Sequence, residues 1–325
     1  MKRIWTINKT VLVMMTLAAL AIALNAPAAW AQGISPVVWS TSSVAFDNGV
    51  APSVAISGTF AIEVHGDGSG GLWYSIGQIQ GSTVLWTAPA KYTNGYAPSI
   101  AISGNTVIEV HQATAGEGAL WNIDAQITSV DSITWAPATE YDNGLAPSVA
   151  ANGLTVIEVH QTASGVGSLY YHTGSLIGNT VSWAEDALQY DTGAAPSVAV
   201  AGSTVIEVHQ TEAGVGPLYY HAAEILAGGS VVWSTKEAQY GTGLAPSVSV
   251  SGPTAIEVHQ VDSGDGLLEN QTAALQSSGT VKFAKKALKY GTGEAPRVSV
   301  AGTMILEVHD ENSGVGSIFY QTAAY

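Results

Sequence analysis

The chain has 325 residues, 46% of them hydrophobic, no cysteine and a formal net charge of −15. So acidic a polypeptide repels nucleic acid and anionic lipid, because phosphate binding needs clustered cations. Without cysteine its stability must come from packing rather than disulfides, and the hydrophobic content suffices for a large core.

At the N-terminus, Lys2, Arg3 and Lys9 flank the apolar run VLVMMTLAALAIAL, and Ala29-Trp30-Ala31 offers the small-x-small pattern read by signal peptidase. Residues 1–31 are therefore expected to be a signal peptide of bacterial style. The product, residues 32–325, is expected to be secreted, periplasmic or held at the cell surface. No second apolar run approaches the roughly 20 residues of a spanning helix, so no membrane span is expected. Beyond residue 31, Arg297 is the only arginine.

Self-similarity dominates the rest of the chain. Pro52, Pro98, Pro147, Pro196, Pro246 and Pro296 stand in "APS" or "APR" at spacings of 46, 49, 49, 50 and 50. Glu-Val-His ends at His65, His111, His160, His209, His259 and His309, and a V-x-W aromatic falls at Trp39, Trp86, Trp135, Trp183, Trp233 and, weakened, Phe283. Within one unit, APSVAVAG, STVIEVHQ, PLYYHAAEIL and SVVWS read as four short strands bounded by Gly, Ser and Thr. No sustained helical period occurs.

After the expected signal peptide comes a lone fourth-strand copy, SPVVWS, and the sequence stops after a third-strand copy, SIFYQTAAY. The expected fold is all-β: a six-bladed β-propeller of four antiparallel strands per blade, its last blade closed by the N-terminal strand, forming one domain. Closure removes the edges of an open sheet. In this topology Ser148, His160 and Tyr170 emerge near one rim, together with the longer connections, and a rigid scaffold carries its ligands on such loops.

Alternation turns Glu158 and His160 to one face of their strand. A buried carboxylate needs a partner, and the histidine, the "APS" serine and the V-x-W indole are the expected ones. Six near-identical Glu-His copies read as blade construction rather than chemistry, since a catalytic pair is needed once. No singular cluster marks a catalytic residue and no H-x-H or C-x-x-C spacing marks a metal site, so none of these, nor a cofactor, is expected. The loops SGVG and AGVG lack the strand-to-helix context and lysine of a phosphate loop, and GDGSGG lacks the ligand series of a calcium loop. All three read as turns.

The pair opening the third strand varies: Trp73-Tyr74, Trp121-Asn122, Tyr170-Tyr171, Tyr219-Tyr220, Glu269-Asn270 and Phe319-Tyr320. These rings can be packing aromatics or a sugar platform, in which aromatic faces cover C–H surfaces and amides orient hydroxyls. Gln112, Gln161, Gln210 and Gln260 follow the histidines and have that amide chemistry, whereas Gly66 and Asp310 replace them in the outer copies. The candidate ligand-binding set is therefore Trp73, Tyr74, Trp121, Tyr170, Tyr171, Tyr219, Tyr220, Phe319, Tyr320 and the four glutamines. The third and fourth copies are the best, with His172 and His221 adding polar edges.

In its repeat grammar, the chain resembles propeller lectins, including the bacterial fucose-binding group. The resemblance implies weak multivalent monosaccharide binding at or between blades. The fungal fucose lectins use an Arg, a Glu and a Trp per site, and a lone Arg297 cannot repeat that. Sialidases need an arginine cluster and Asp-box repeats, which the sequence lacks. The expected function is a secreted carbohydrate-binding protein without catalysis, with glycans as partners. A scaffold for other extracellular proteins is the alternative, and a glycan-active hydrolase or lyase comes third.

Overall fold

The computed structural model describes residues 36–325 apart from 264–265, 277–279 and 313. The expected signal segment, residues 1–31, lies outside the described residues. Every regular element among the described residues is a β-strand, and the pairings are antiparallel.

The third repeat shows the plan. Its first strand is the latter part of Thr139–Asn152, which pairs with Thr155–Gln161 in the register Val149↔Glu158. That second strand pairs with Gly167–Ile177, His160 facing Tyr170. The third strand then meets two pieces of chain: Thr180–Trp183 along its end, and the beginning of Leu188–Ala201 along its start. The residues "YDTG" read as a loop in the sequence. In the structure they extend the outer edge of one repeat and run directly into the first strand of the next.

A bulge makes that passage possible. Leu145 faces Gln161 and Ser148 faces Val159, so Ala146 and Pro147 together oppose His160. The bulged alanine is left-handed in all six repeats, with φ of 54, 47, 47, 49, 49 and 48° at Ala51, Ala97, Ala146, Ala195, Ala245 and Ala295. A left-handed non-glycine residue costs roughly 1–2 kcal/mol, and the structure offsets it with a side chain. Gln112, Gln161 and Gln210 accept the N–H of Ala146, Ala195 and Ala245 at 2.8, 2.7 and 2.7 Å. Gln260 does so for Ala295 at 3.4 Å, and Asp310 accepts from Ala51 at 3.0 Å.

The first strands also touch in sequence: each contacts the next, and the last, Glu294–Ala301, contacts Val44–Ser57. Ser53, Ser99, Ser148, Ser197, Ser247 and Arg297, one from each first strand, line a common opening. Serine hydroxyls stitch neighbours together there. Ser53 accepts the N–H of Ile100 at 3.2 Å, Ser99 that of Val149, Ser148 that of Val198, Ser197 that of Val248 and Ser247 that of Val298. At the Arg297 joint, Ser299 accepts from Ile56 at 3.0 Å instead.

The chain ends meet. Val38–Trp39 pairs with Gly316–Ala324, Val38 facing Ala324, and the first part of Val44–Ser57 pairs with the other half of that strand. Val54, Ile56 and Val84 of the first repeat pack with Leu306, Val308 and Tyr320 of the last, while Trp39 packs on the cluster of Val298, Val300 and Ile305. The core consists of such clusters between adjacent repeats, each combining side chains from both.

Candidate functional site

Glu63, Glu109, Glu158, Glu207, Glu257 and Glu307 are all fully buried. The following histidine turns Nδ1 to each carboxylate, at 3.1 Å for His65 and His160 and 2.9 Å for His111. The other expected partners differ. The serine serves the next strand, and the indole stacks on a tyrosine of the preceding link. In the second and fifth repeats that tyrosine is the carboxylate's second partner: Tyr92 donates to Glu109 and Tyr240 to Glu257, both at 3.0 Å. Burial pushes both phenols well above their usual range, and the adjacent carboxylate adds to it. Burial likewise raises Glu63 and Glu109. At His65, burial pulls the ring down, but the Glu63 contact outweighs it and the ring is raised.

Each linking aromatic lies flat on the aromatic of the next repeat's fourth strand. Tyr92 stacks on Trp135 at 4.4 Å, Tyr190 on Trp233 at 4.5 Å, Tyr240 on Phe283 at 4.4 Å and Tyr290 on the N-terminal Trp39 at 4.1 Å. The second member of the varying pair completes these groups edge-on. Tyr74 meets Trp135, Tyr171 meets Trp233, and Tyr320 meets Trp86. Tyr220 meets Phe283 at a tilt of 46° instead and donates to the Val281 carbonyl at 2.9 Å. Such contacts contribute roughly 0.5–1.5 kcal/mol per pair beyond area. Tyr74, Tyr171, Tyr220 and Tyr320 therefore lie between repeats.

The first member points to the opposite face of the strand. Tyr170, Tyr219 and Phe319 are half-buried and lie parallel to His160, His209 and His309, at centroid separations of 5.9, 6.4 and 5.5 Å. Exposed Gln189 and Gln239 stand opposite the two tyrosines on the outer strand. Around Phe319 the surface is concave: Ser43, Thr292, His309, Glu311 and Asn312 line an opening of about 360 Å³ with it. Trp73 donates from Nε1 to Asp67 at 3.3 Å. Asp67 also accepts the N–H groups of Ser69 and Gly71 and the Ser69 hydroxyl, which hold its carboxyl well below the usual range. The GDGSGG loop is thus a capped turn. Trp121 is half-buried opposite His111.

The glutamines Gln112, Gln161, Gln210 and Gln260 are buried beneath this surface. Besides receiving an alanine N–H, Gln161 donates to the carbonyls of Ala163 and Gly165, and Gln210 to those of Glu212 and Gly214. They shape the loop beside the aromatic ring.

Two repeats carry groups to which the sequence pattern gives little weight. Asp142 and Asp191, on the links into the third and fourth repeats, meet His172 and His221 at 2.7 and 2.5 Å. His160 and His209 approach the same carboxylates at 3.6 and 4.0 Å, and Glu237 reaches His209 Nε2 at 3.1 Å. Each aspartate precedes its histidine by 30 residues and belongs to another repeat, so no local motif reveals the pair.

No family model matches the chain, and no curated protein matches it in sequence. Its fold is similar to solved structures at low identity. A lectin from Aleuria aurantia in complex with Fucalpha1-6GlcNAc aligns with TM-score 0.58 and 10% identity over 88% of this chain and 93% of that one. Trypanosoma rangeli sialidase in complex with the inhibitor DANA aligns with TM-score 0.56 and 11% identity over 89% of this chain and 60% of the sialidase. The chain thus spans about 60% of that enzyme's length. A Dyadobacter fermentans protein described as of unknown function aligns with TM-score 0.58 and 11% identity over 90% of this chain and all of that one.

Proposed function

We propose that the chain is an exported, six-bladed propeller that binds glycans at several rim positions and carries out no catalysis. Six recurrent registers, the circuit of first-strand contacts and the pairing of Val38–Trp39 with Gly316–Ala324 support the blade count and its closure. The binding surface is the rim face bearing Tyr170, Tyr219 and Phe319, with Trp73 and Trp121 as divergent copies. The observation that carries this reading is the half-buried ring lying parallel to a buried histidine, beside an exposed amide or an acidic and amide-lined opening. An aromatic face covers the apolar side of a sugar, and neighbouring polar groups take its hydroxyls. Several weak copies on one rigid body give avidity.

The lectin among the structural neighbours supports the reading, whereas the sialidase supports a glycan hydrolase as the second one. Arg297 alone represents arginine among the described residues, so an arginine cluster around a carboxylated sugar is not available here.

Glycan-array screening of the protein, repeated with Tyr170→Ala, Tyr219→Ala and Phe319→Ala, tests the proposal. Saturable binding to a defined sugar, weakened stepwise by these substitutions, is the expected result. A blank array with a captured protein partner favours the scaffold reading. Release of free sugar from bound glycans favours the hydrolase.

A further inference from the structure

The two aspartate–histidine pairs are unequal, and the difference points to a metal. The position of His221 is occupied in chain order by Ser75, Ile123, His172, His221, Gln271 and Gln321, and that of Asp191 by Asp47, Thr93, Asp142, Asp191, Gly241 and Gly291. Histidine occurs only with aspartate opposite it. Where the link has glycine, the third strand has glutamine. The two positions change together within one chain, as two halves of one site would.

In the fourth repeat the arrangement gains a further ligand. Nε2 of His221 lies 2.5 Å from Asp191 Oδ2, and Nε2 of His209 lies 3.1 Å from Glu237 Oε2 and 4.0 Å from Asp191 Oδ2. The ligand atoms of Asp191, His221 and Glu237 all fall within 4.8 Å of one another. Tetrahedral ligands about 2.1 Å from a zinc ion stand roughly 3.4 Å apart, so small side-chain rotations suffice. Both rings are already oriented through their other nitrogen. His209 Nδ1 faces Glu207 at 3.0 Å, and His221 Nδ1 faces the Ser234 hydroxyl at 3.1 Å. A carboxylate or hydroxyl behind each ligating imidazole is the outer shell that metal sites require. The imidazoles are buried, with side chains 0% and 5% exposed, whereas Asp191 and Glu237 are 25% and 36% exposed and form the entrance.

We propose that His209, His221, Asp191 and Glu237 form a binding site for a divalent transition-metal ion, with zinc the best match to two imidazoles and two carboxylates. In the third repeat Asp142 meets His172 and approaches His160, but Ala187 stands where Glu237 would and the ligand atoms are not gathered as closely. The proposal does not rest on the glycan-binding reading, although His209 lies beneath Tyr219.

The test uses the untagged full chain, stripped with chelator and titrated with zinc chloride by calorimetry. Cobalt(II) absorption serves as a geometric readout. The substitutions are His221→Gln and Glu237→Ala, residues that other repeats already accommodate at these positions; circular dichroism and urea midpoints verify their folding. The expected result is saturable zinc binding with a cobalt spectrum of tetrahedral intensity, weakened at least tenfold by either substitution. No zinc binding at micromolar concentration, or binding and spectrum unchanged in both folded variants, would overturn the proposal.

Discussion

Asp310→Gln should stabilise the protein at neutral and alkaline pH and remove part of its pH dependence. Asp310 occupies the latch position held by glutamine in four other repeats, where it receives the Ala51 N–H at 3.0 Å and joins the last repeat to the first. Burial, opposed by the Ala51 hydrogen bond and by the Arg297 and His309 charges, raises its carboxyl from 3.8 to about 7. The folded state therefore holds a proton on Asp310 that the unfolded chain gives up near pH 4. Between those values the unfolded state binds fewer protons, so stability falls as pH rises. A carboxyl moved from 3.8 to about 7 costs on the order of 4 kcal/mol once pH exceeds 7, at about 1.4 kcal/mol per unit. His65, His160, His259 and His309, all raised by their glutamates against the opposing effect of burial, act in the same direction because their contribution is lost at high pH. Glutamine keeps the acceptor for Ala51 and carries no charge. Urea midpoints at pH 4.5, 6, 7.5 and 9 should show a shallower decline for the variant, with the gain largest above pH 7. A variant that follows the wild-type slope, or loses stability throughout, would refute the reasoning.

Two further substitutions probe the joints. Arg297→Ser restores the sixth serine at the common opening, but in the native background it also strips Asp310 of a neighbouring cation. It should therefore add on the order of 1 kcal/mol only when combined with Asp310→Gln, a coupling that a double-mutant cycle on urea midpoints measures. Tyr240→Phe removes the hydroxyl donating to fully buried Glu257 at 3.0 Å while keeping the stack on Phe283. It should cost roughly 1–3 kcal/mol by chemical denaturation; a loss below about 0.5 kcal/mol would mean that the tyrosine is not a needed partner.

Much of the architecture is legible in the sequence because its signals are local. Period-two alternation in TVIEVHQ, glycine turns and the offset between SPVVWS and SIFYQTAAY mark strands and their order without any long-range knowledge. Alternation also places Glu158 and His160 on one face, as the structure has them. What escapes a sequence reading involves partners from neighbouring repeats. Tyr92 and Tyr240 lie in segments that look like loops, yet they run as strands and reach the next repeat's glutamate. Gln161 carries the amide chemistry expected of a ligand group, but its amide supports the left-handed Ala195, whose conformation an "APS" triplet does not announce. His172 and His221 are visible as polar edges, whereas the aspartates facing them, 30 residues upstream, are not.

The rim surface and the Asp310 latch both require that the two ends of the described chain close on each other. The absence of cysteine allows a clean test: Val38→Cys with Ala324→Cys, residues paired directly across the closing strands. Mild oxidation of the folded protein should yield an intramolecular disulfide and a higher urea midpoint, the stabilisation reaching roughly 6 kcal/mol if the long-loop entropy is fully expressed. Thiols that stay reduced under oxidation, or that pair only between molecules, would contradict the closure.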